Sequence, residues 1–158
     1  MKYIETESVE LKGNVIDDLE KEVVAFLNIH SGVIYIGVDK KGDITGVDGY
    51  DNLALKIIDR LKNNIAPSIM GLFEVNILTY EDKHYLEIEV ASGIEKPYYI
   101  KKYGMSPRGC SIRIGTQASP MTQKEIDNMY EEYLTKKSIL IKCDIDEEIL
   151  SNIKDKIN

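Results

Sequence analysis

The chain has 158 residues, 43% hydrophobic and 30% charged, with 20 Lys and Arg against 27 Asp and Glu for a net charge of −7. A chain of this length buries roughly 70% of its unfolded surface, so one core suffices and neither a disulfide nor a structural metal is needed to fold it. The excess of acid excludes a protein that coats nucleic acid with its whole surface and leaves only a local basic face.

In chain order, residues 2–12 alternate in part through Tyr3, Val9 and Leu11, as a short strand or extended arm does. Asp17 and Asp18 suit a helix start, and Leu19, Val23, Phe26 and Leu27 share one face, which predicts a helix over 17–27. The β-branched run 33–38 predicts a central strand buried on both faces, followed by turn chemistry at 39–43 and a hairpin partner at 44–47. A second helix is predicted over 52–64 with Leu53, Ile57, Ile58 and Leu61 inward, and Pro67 marks its end. Alternation over 72–80 and 85–91, around Glu81-Asp82-Lys83, predicts a second hairpin, and 111–115 reads as a short final strand. Thr122-Gln123-Lys124-Glu125 is a capping box opening a helix to about Leu134. The fold class this predicts is α+β, a single mixed-sheet domain over 1–135 with helices packed on the sheet, and 136–158 as an extension, either a short helix or a truncated continuation.

Cys110 and Cys143 have no CxxC partner and no histidines at zinc spacing. The start of the chain turns acidic at Glu5 without a signal peptide's apolar stretch, and no run approaches the roughly 18 apolar residues of a membrane span. The expectation is a reduced, cytoplasmic protein with no membrane partner.

Two constellations could carry chemistry. From Lys96 to Lys124 there are six Lys and Arg and no Asp or Glu, although the chain average would place about five acids there. Lys96, Lys101, Lys102, Arg108 and Arg113 suit phosphate contacts, with Tyr98, Tyr99 and Tyr103 interleaved for base stacking. The plainer alternative is a solvated basic loop that pairs with acidic neighbours or docks a protein partner. The second constellation is acidic: Glu5, Glu7 and Glu10, with Asp39 and Asp43 after the central strand. Were the first strand to pair beside that strand, Glu5 or Glu10 and Asp39 could converge on Mg²⁺ or Mn²⁺ for phosphodiester cleavage. Acids at strand ends and turns are also common without any such role. No GxxxxGK[ST] loop and no GxGxxG occurs, which argues against a self-contained NTPase or Rossmann enzyme. His30 beside Ser31 reads as a loop pair, and Cys110 as a small, partly buried residue.

The blocks Glu5-Thr-Glu-Ser-Val-Glu10-Leu-Lys12, Ala25-Phe26-Leu27-Asn28 with Gly32, Ile36-Gly37-Val38-Asp39 followed by Gly42 to Val47, Lys96-Pro97-Tyr98-Tyr99, and Ile112-Arg113-Ile114-Gly115-Thr116 stand in the order found in the Schlafen AlbA-type domain family. Over residues 3 to 118 the chain resembles that family, whose members are mostly bacterial proteins described as DNA-binding transcriptional regulators, together with the core of animal Schlafen proteins, some of which cleave tRNA. The resemblance implies an AlbA-like α+β fold and binding of DNA or RNA through the basic, tyrosine-rich loop. It also implies a homodimer, because Schlafen cores resemble two such domains side by side. The nuclease members resemble this chain at Glu5, Glu10 and Asp39, which makes those three the catalytic candidates and Mg or Mn the candidate ion. Lys40, however, follows Asp39 where the family often has a second acid, and Ser31 replaces the first glycine of its usual N-x-x-G-G. A lysine there removes a ligand and competes with a metal for the same carboxylates, so the expectation is binding without efficient cleavage, with no catalytic residue and no metal. A protein-interaction or dimerisation module is the remaining alternative. Members of the family often continue into a larger C-terminal region, so the chain reads as a minimal member or as part of a longer protein.

Overall fold

The computed structural model describes residues 2–15 and 17–157, the last three by backbone alone. Met1 and Asn158, the outer limits of the expected division, lie outside the described residues. Eleven elements follow in chain order: β1 (Val9–Lys12), α1 (Leu19–Asn28), β2 (Gly32–Ile36), α2 (Tyr50–Asn64), β3 (Ile65–Ala66), β4 (Phe73–Tyr80), β5 (Lys83–Val90), β6 (Tyr99–Ile100), β7 (Ser111–Ile114), β8 (Gln117–Pro120) and α3 (Gln123–Ile157). A four-stranded sheet in the order β1-β2-β5-β4 holds the centre, and β3 with β6 and β7 with β8 form two small ladders. β1 runs parallel to β2, which the intervening α1 makes sterically natural, and the other pairs in the sheet are antiparallel.

The row that faces the helices runs across the sheet through Ile34, Ile88 and Val75, and packs with Leu19, Val23, Phe26 and Leu27 of α1 and Ile57 and Leu61 of α2. By register the same row begins on β1 at Glu10, which lies opposite Ile34. A carboxylate thus sits where the pattern calls for a hydrophobe, at the edge of the sheet and against α1. The opposite face is half covered by the N-terminal arm, where Leu11, Val38, Ile44 and Tyr85 pack with Tyr3 and Tyr35.

Several boundaries move for local reasons. The central strand ends at Ile36, because Gly37 takes φ 95°, a left-handed conformation that leaves the ladder. Val38 then meets Ile44 only in an isolated bridge, where a full hairpin is expected from the sequence. The first helix starts at Leu19, and Asp18 remains outside with its carbonyl accepting from the Glu22 N–H. The second starts at Tyr50 behind Gly49, two residues ahead of the expected Asn52. The largest difference is α3: the capping box forms as read, with Glu125 Oε1 accepting from Thr122 N and Thr122 Oγ1 from Glu125 N, but the helix continues for 35 residues to Ile157. No Gly or Pro interrupts the chain after Pro120, so nothing stops it near Leu134. At Gly32 a Cβ would fall 2.1 Å from the Phe26 ring, so the glycine retained beside Ser31 is the one that lets α1 close onto β2.

Candidate nucleic-acid interface and acid–base cluster

The acidic constellation and Arg113 meet in one cluster between β1, α1 and β7. On β7 the alternation turns Ser111 and Arg113 inward, and the Arg113 side chain is fully buried. Its Nη1 donates to Glu10 Oε2 and, at 3.4 Å, to Glu22 Oε2, while Nη2 donates to the carbonyls of Thr6 at 2.7 Å and Val9 at 3.0 Å. The guanidinium also lies 4.9 Å over the Phe26 ring. Its Nε is buried and has no hydrogen-bond partner among the described residues. Lys12 Nζ lies 3.3 Å from Glu10 and 3.5 Å from Glu22. From the outside, Lys40 reaches in and donates to both Glu5 Oε1 and Glu10 Oε1, the latter at 2.9 Å. Glu5 Oε1 also accepts from the Leu11 N–H at 3.2 Å, which ties the N-terminal arm to β1.

Three acids and three cations therefore close on one another, and their titration follows from the geometry. Burial by itself would raise the Glu10 carboxyl, but the hydrogen bonds from Arg113 and Lys40 outweigh it and hold Glu10 below the ordinary carboxylate range. Glu22 goes the other way, raised by burial and then by the neighbouring Glu10 charge. Burial lowers Lys40, yet its bonds to Glu5 and Glu10 prevail and leave it raised.

Glu5 and Glu10 do come together, on the Lys40 ammonium. Asp39 does not join them: its Oδ1 accepts from the Lys41 and Asp43 N–H groups, both at 3.0 Å, and closes its own turn. Among the described residues no group of three or more His, Cys, Asp or Glu is placed to hold a metal ion. The donor set does not fit a divalent cation as it stands, because a lysine occupies the position between the two glutamates.

The eight residues expected on the basic face divide. Arg113 is not part of it, for the reason above. Tyr98 is buried too, 1% exposed, with its N–H donating to Asn28 Oδ1 and its carbonyl accepting from Asn28 Nδ2, so it is not available to stack on a base. Tyr99 is half-buried against Cys110, Met121 and Ile126. Lys96 is half-buried, its pKa lowered by burial and by Lys136. Lys101, Lys102 and Arg108 are exposed on one loop, and none of the three forms an ion pair with a described carboxylate. Tyr103 lies between them in sequence and takes both Arg108, 4.1 Å above its ring, and Lys102, at 5.3 Å. The loop is ordered by its own backbone: Tyr103 and Gly104 N–H donate to the Ile100 carbonyl, and Gly109 N–H donates to that of Ser106. A Cβ at Gly109 would meet the Gly104 carbonyl oxygen at 2.0 Å, so only glycine permits this closure.

Three residues that sequence reasoning left out complete the picture. Glu22 and Lys12 belong to the cluster, and Asn28 joins α1 to the segments at Tyr98 and Ser111. The sequence carries only a faint signal for them, the run Val23-Val24-Ala25-Phe26-Leu27 beside Glu22; it is the burial of nine of the ten residues of α1 that makes an acid within it require a cation. A cleft of about 790 Å³ opens elsewhere, by Val47, Tyr50, Lys56, Lys83 and His84, and neither the cluster nor the basic loop lines it. Among the described residues no helix is long and apolar enough to cross a membrane.

An α+β domain whose mixed sheet carries an inward carboxylate at its edge, locked by an arginine from a small outer ladder, is the class of protein that this fold and site define. The family model described as Schlafen, AlbA_2 matches residues 5–122, and the chain belongs to that family. Among solved structures, the DIP2311 protein from Corynebacterium diphtheriae is similar in fold, with a TM-score of 0.52 and 22% identity over 73% of this chain and 22% of that one. This chain therefore spans less than a quarter of that protein's length. No curated protein matches it.

Proposed function

We propose that the chain is a nucleic-acid-binding domain of a transcriptional regulator, acting through the loop that carries Lys101, Lys102, Tyr103 and Arg108. The observation that supports it most is that these three cations are exposed and without a described carboxylate partner, in a stretch free of acid, while the rest of the chain holds all 27 acids. Phosphates are the natural counterions of such a loop, and the Tyr103 ring between two cations offers an edge against which a base can pack. Membership in the Schlafen AlbA_2 family agrees with a nucleic-acid-related role. The reading places the protein in the cytoplasm as a homodimer, since a second copy doubles the phosphate contacts of one short loop.

A metal-dependent endoribonuclease is the second reading, favoured by the convergence of Glu5 and Glu10. Lys40 weighs against it, since its ammonium already holds the two carboxylates, and the third acid, Asp39, is bound into its own turn. Binding of labelled single- and double-stranded DNA and RNA across a salt series tests the first reading, which expects affinity to fall steeply with salt. Incubation of structured RNA with Mn²⁺ tests the second: cleavage that disappears in Glu10→Gln would replace the binding reading with the nuclease one.

A further inference from the structure

The beginning of α3 packs on the domain through Ile126 and Met129, but beyond Lys136 every described side chain is exposed. That free stretch carries Ile139 at 57% exposure, Ile145 and Ile149 at 50%, Leu150 at 58% and Ile153 at 48%. Ile126 and Ile153 lie 27 positions apart, about seven and a half turns at 3.6 residues per turn, so the distal apolar stripe looks away from the side that meets the domain. This change of side is why the helix as a whole shows no single apolar face. An apolar stripe on a free helix, crossed at its middle by Lys142 and Asp146, calls for a partner that answers both its apolar and its charged positions.

The stripe has the spacing of a two-helix seam. Ile139, Lys142, Asp146, Ile149 and Ile153 follow one another at intervals of three, four, three and four. We propose that this seam is filled by the same stripe of a second copy of this chain, running antiparallel. Charge decides both partner and direction. In a parallel pair every seam residue faces itself, so Lys142 would lie against lysine and Asp146 against aspartate. In the antiparallel pair that sets Ile139 against the partner's Ile149, Lys142 meets the partner's Asp146 and Asp146 the partner's Lys142. One register satisfies both the apolar and the charged layers. The ion pairs inside the seam specify that register, the role in which buried charge is best attested. On the same two-fold axis, Cys143 comes beside the partner's Cys143 on one flank, and Ile145 beside the partner's Ile145 on the other. The inference rests on the pairing stated under the proposed function and supplies its surface; the role of the basic loop does not depend on it.

Light scattering on the full chain under reducing conditions is expected to return twice the chain mass of 17.9 kDa. Ile149→Glu is expected to return the mass of one chain, with the domain still folded by circular dichroism because Ile149 is half exposed and belongs to none of the domain's core clusters. Lys142→Asp and Asp146→Lys are each expected to raise the dimer dissociation constant at least tenfold, and the double variant Lys142→Asp/Asp146→Lys to restore it. A short bis-maleimide should link two parent chains through Cys143, and Cys143→Ser should abolish the link, Cys110 being buried. A one-chain mass for the parent at high protein concentration overturns the pairing itself. A dimer that survives Ile149→Glu overturns this surface and leaves pairing to another, and failure of the double variant to restore the dimer overturns the antiparallel register. DNA binding by the Ile149→Glu chain separates these outcomes from the loop reading, which expects the single chain to bind with a salt dependence of its own.

Discussion

Two groups of three cations sit within one small domain in opposite surroundings. Lys12, Lys40 and Arg113 close on Glu5, Glu10 and Glu22 between β1, α1 and β7, while Lys101, Lys102 and Arg108 stand on a loop with no described carboxylate against them. Carboxylates occupy the first group, with Arg113 buried, Lys12 nearly so and Lys40 reaching in from the surface. Exposure and the lack of acid leave the second group open to the nucleic acid proposed as its ligand. A count of positive charges along the sequence treats Arg113 and Arg108 alike, five residues apart, yet the alternation of a four-residue strand sends one into the core and the other stays in solvent. Where a charge acts is set by what faces it.

The sharpest way to break this contrast is to remove the arginine at the heart of the cluster. Arg113→Met should cost about 3–5 kcal/mol in urea unfolding, because Glu10 and Glu22 are then left buried with their main cation gone. A cost below about 1 kcal/mol would mean that the cluster is not what locks β7 to the sheet. Asn28→Ala comes next. It leaves the Tyr98 N–H and the Tyr98 and Ser111 carbonyls without their shared partner, and about 3 kcal/mol is expected in the same assay.

The two buried glutamates should respond to pH with opposite signs. Glu10 is lowered in the fold, so its stabilisation is present above the ordinary carboxylate pKa and is lost as pH falls through its folded value. Glu10→Gln should therefore cost about 2 kcal/mol at neutral pH, and the penalty should shrink in acid. Glu22 is raised, so the fold favours its protonated form, and its contribution declines as pH rises through the folded value. Glu22→Gln should accordingly gain relative to the parent between acid and neutral pH. Parallel pH profiles for the two variants would contradict the arrangement of charges described. Smaller still is Lys40→Ala, whose side chain is 60% exposed: less than about 1 kcal/mol is expected, with the Glu10 carboxyl moving back up in an NMR titration.

Much of the fold is legible in the sequence because the signals are local. The β-branched run of β2, the alternating hairpin of β4 and β5, the inward face of α2 and the capping box of α3 each carry their own pattern, although Ile58, expected on that face of α2, is 38% exposed and Ala54 is buried in the core instead. β8 was not legible, since Gln117-Ala-Ser-Pro120 has no strand chemistry and is held by its pairing with β7. The length of α3 was obscured by the change of apolar side near Ile141, although the lack of Gly and Pro pointed to it. The basic loop could be read from composition alone, but Tyr98 and Arg113 could not be excluded from it. Their burial depends on Asn28 and Glu10, residues 70 and 103 positions away, and no local pattern records such partners. Lys40 is the counter-example: the lysine singled out beside the acidic site does lie against it, donating hydrogen bonds to Glu5 and Glu10 but not to Asp39.

The most direct measurement of the central claim compares nucleic-acid binding by the parent chain and by Lys101→Ala/Lys102→Ala over a series of salt concentrations. The two side chains are exposed and form no ion pair with a described carboxylate, so stability should change little while the slope of log affinity against log salt flattens by about 1.5 to 2 units, the share of two phosphate contacts. Identical affinity and slope for the two proteins at every salt concentration would contradict the claim and turn the loop over to a protein partner.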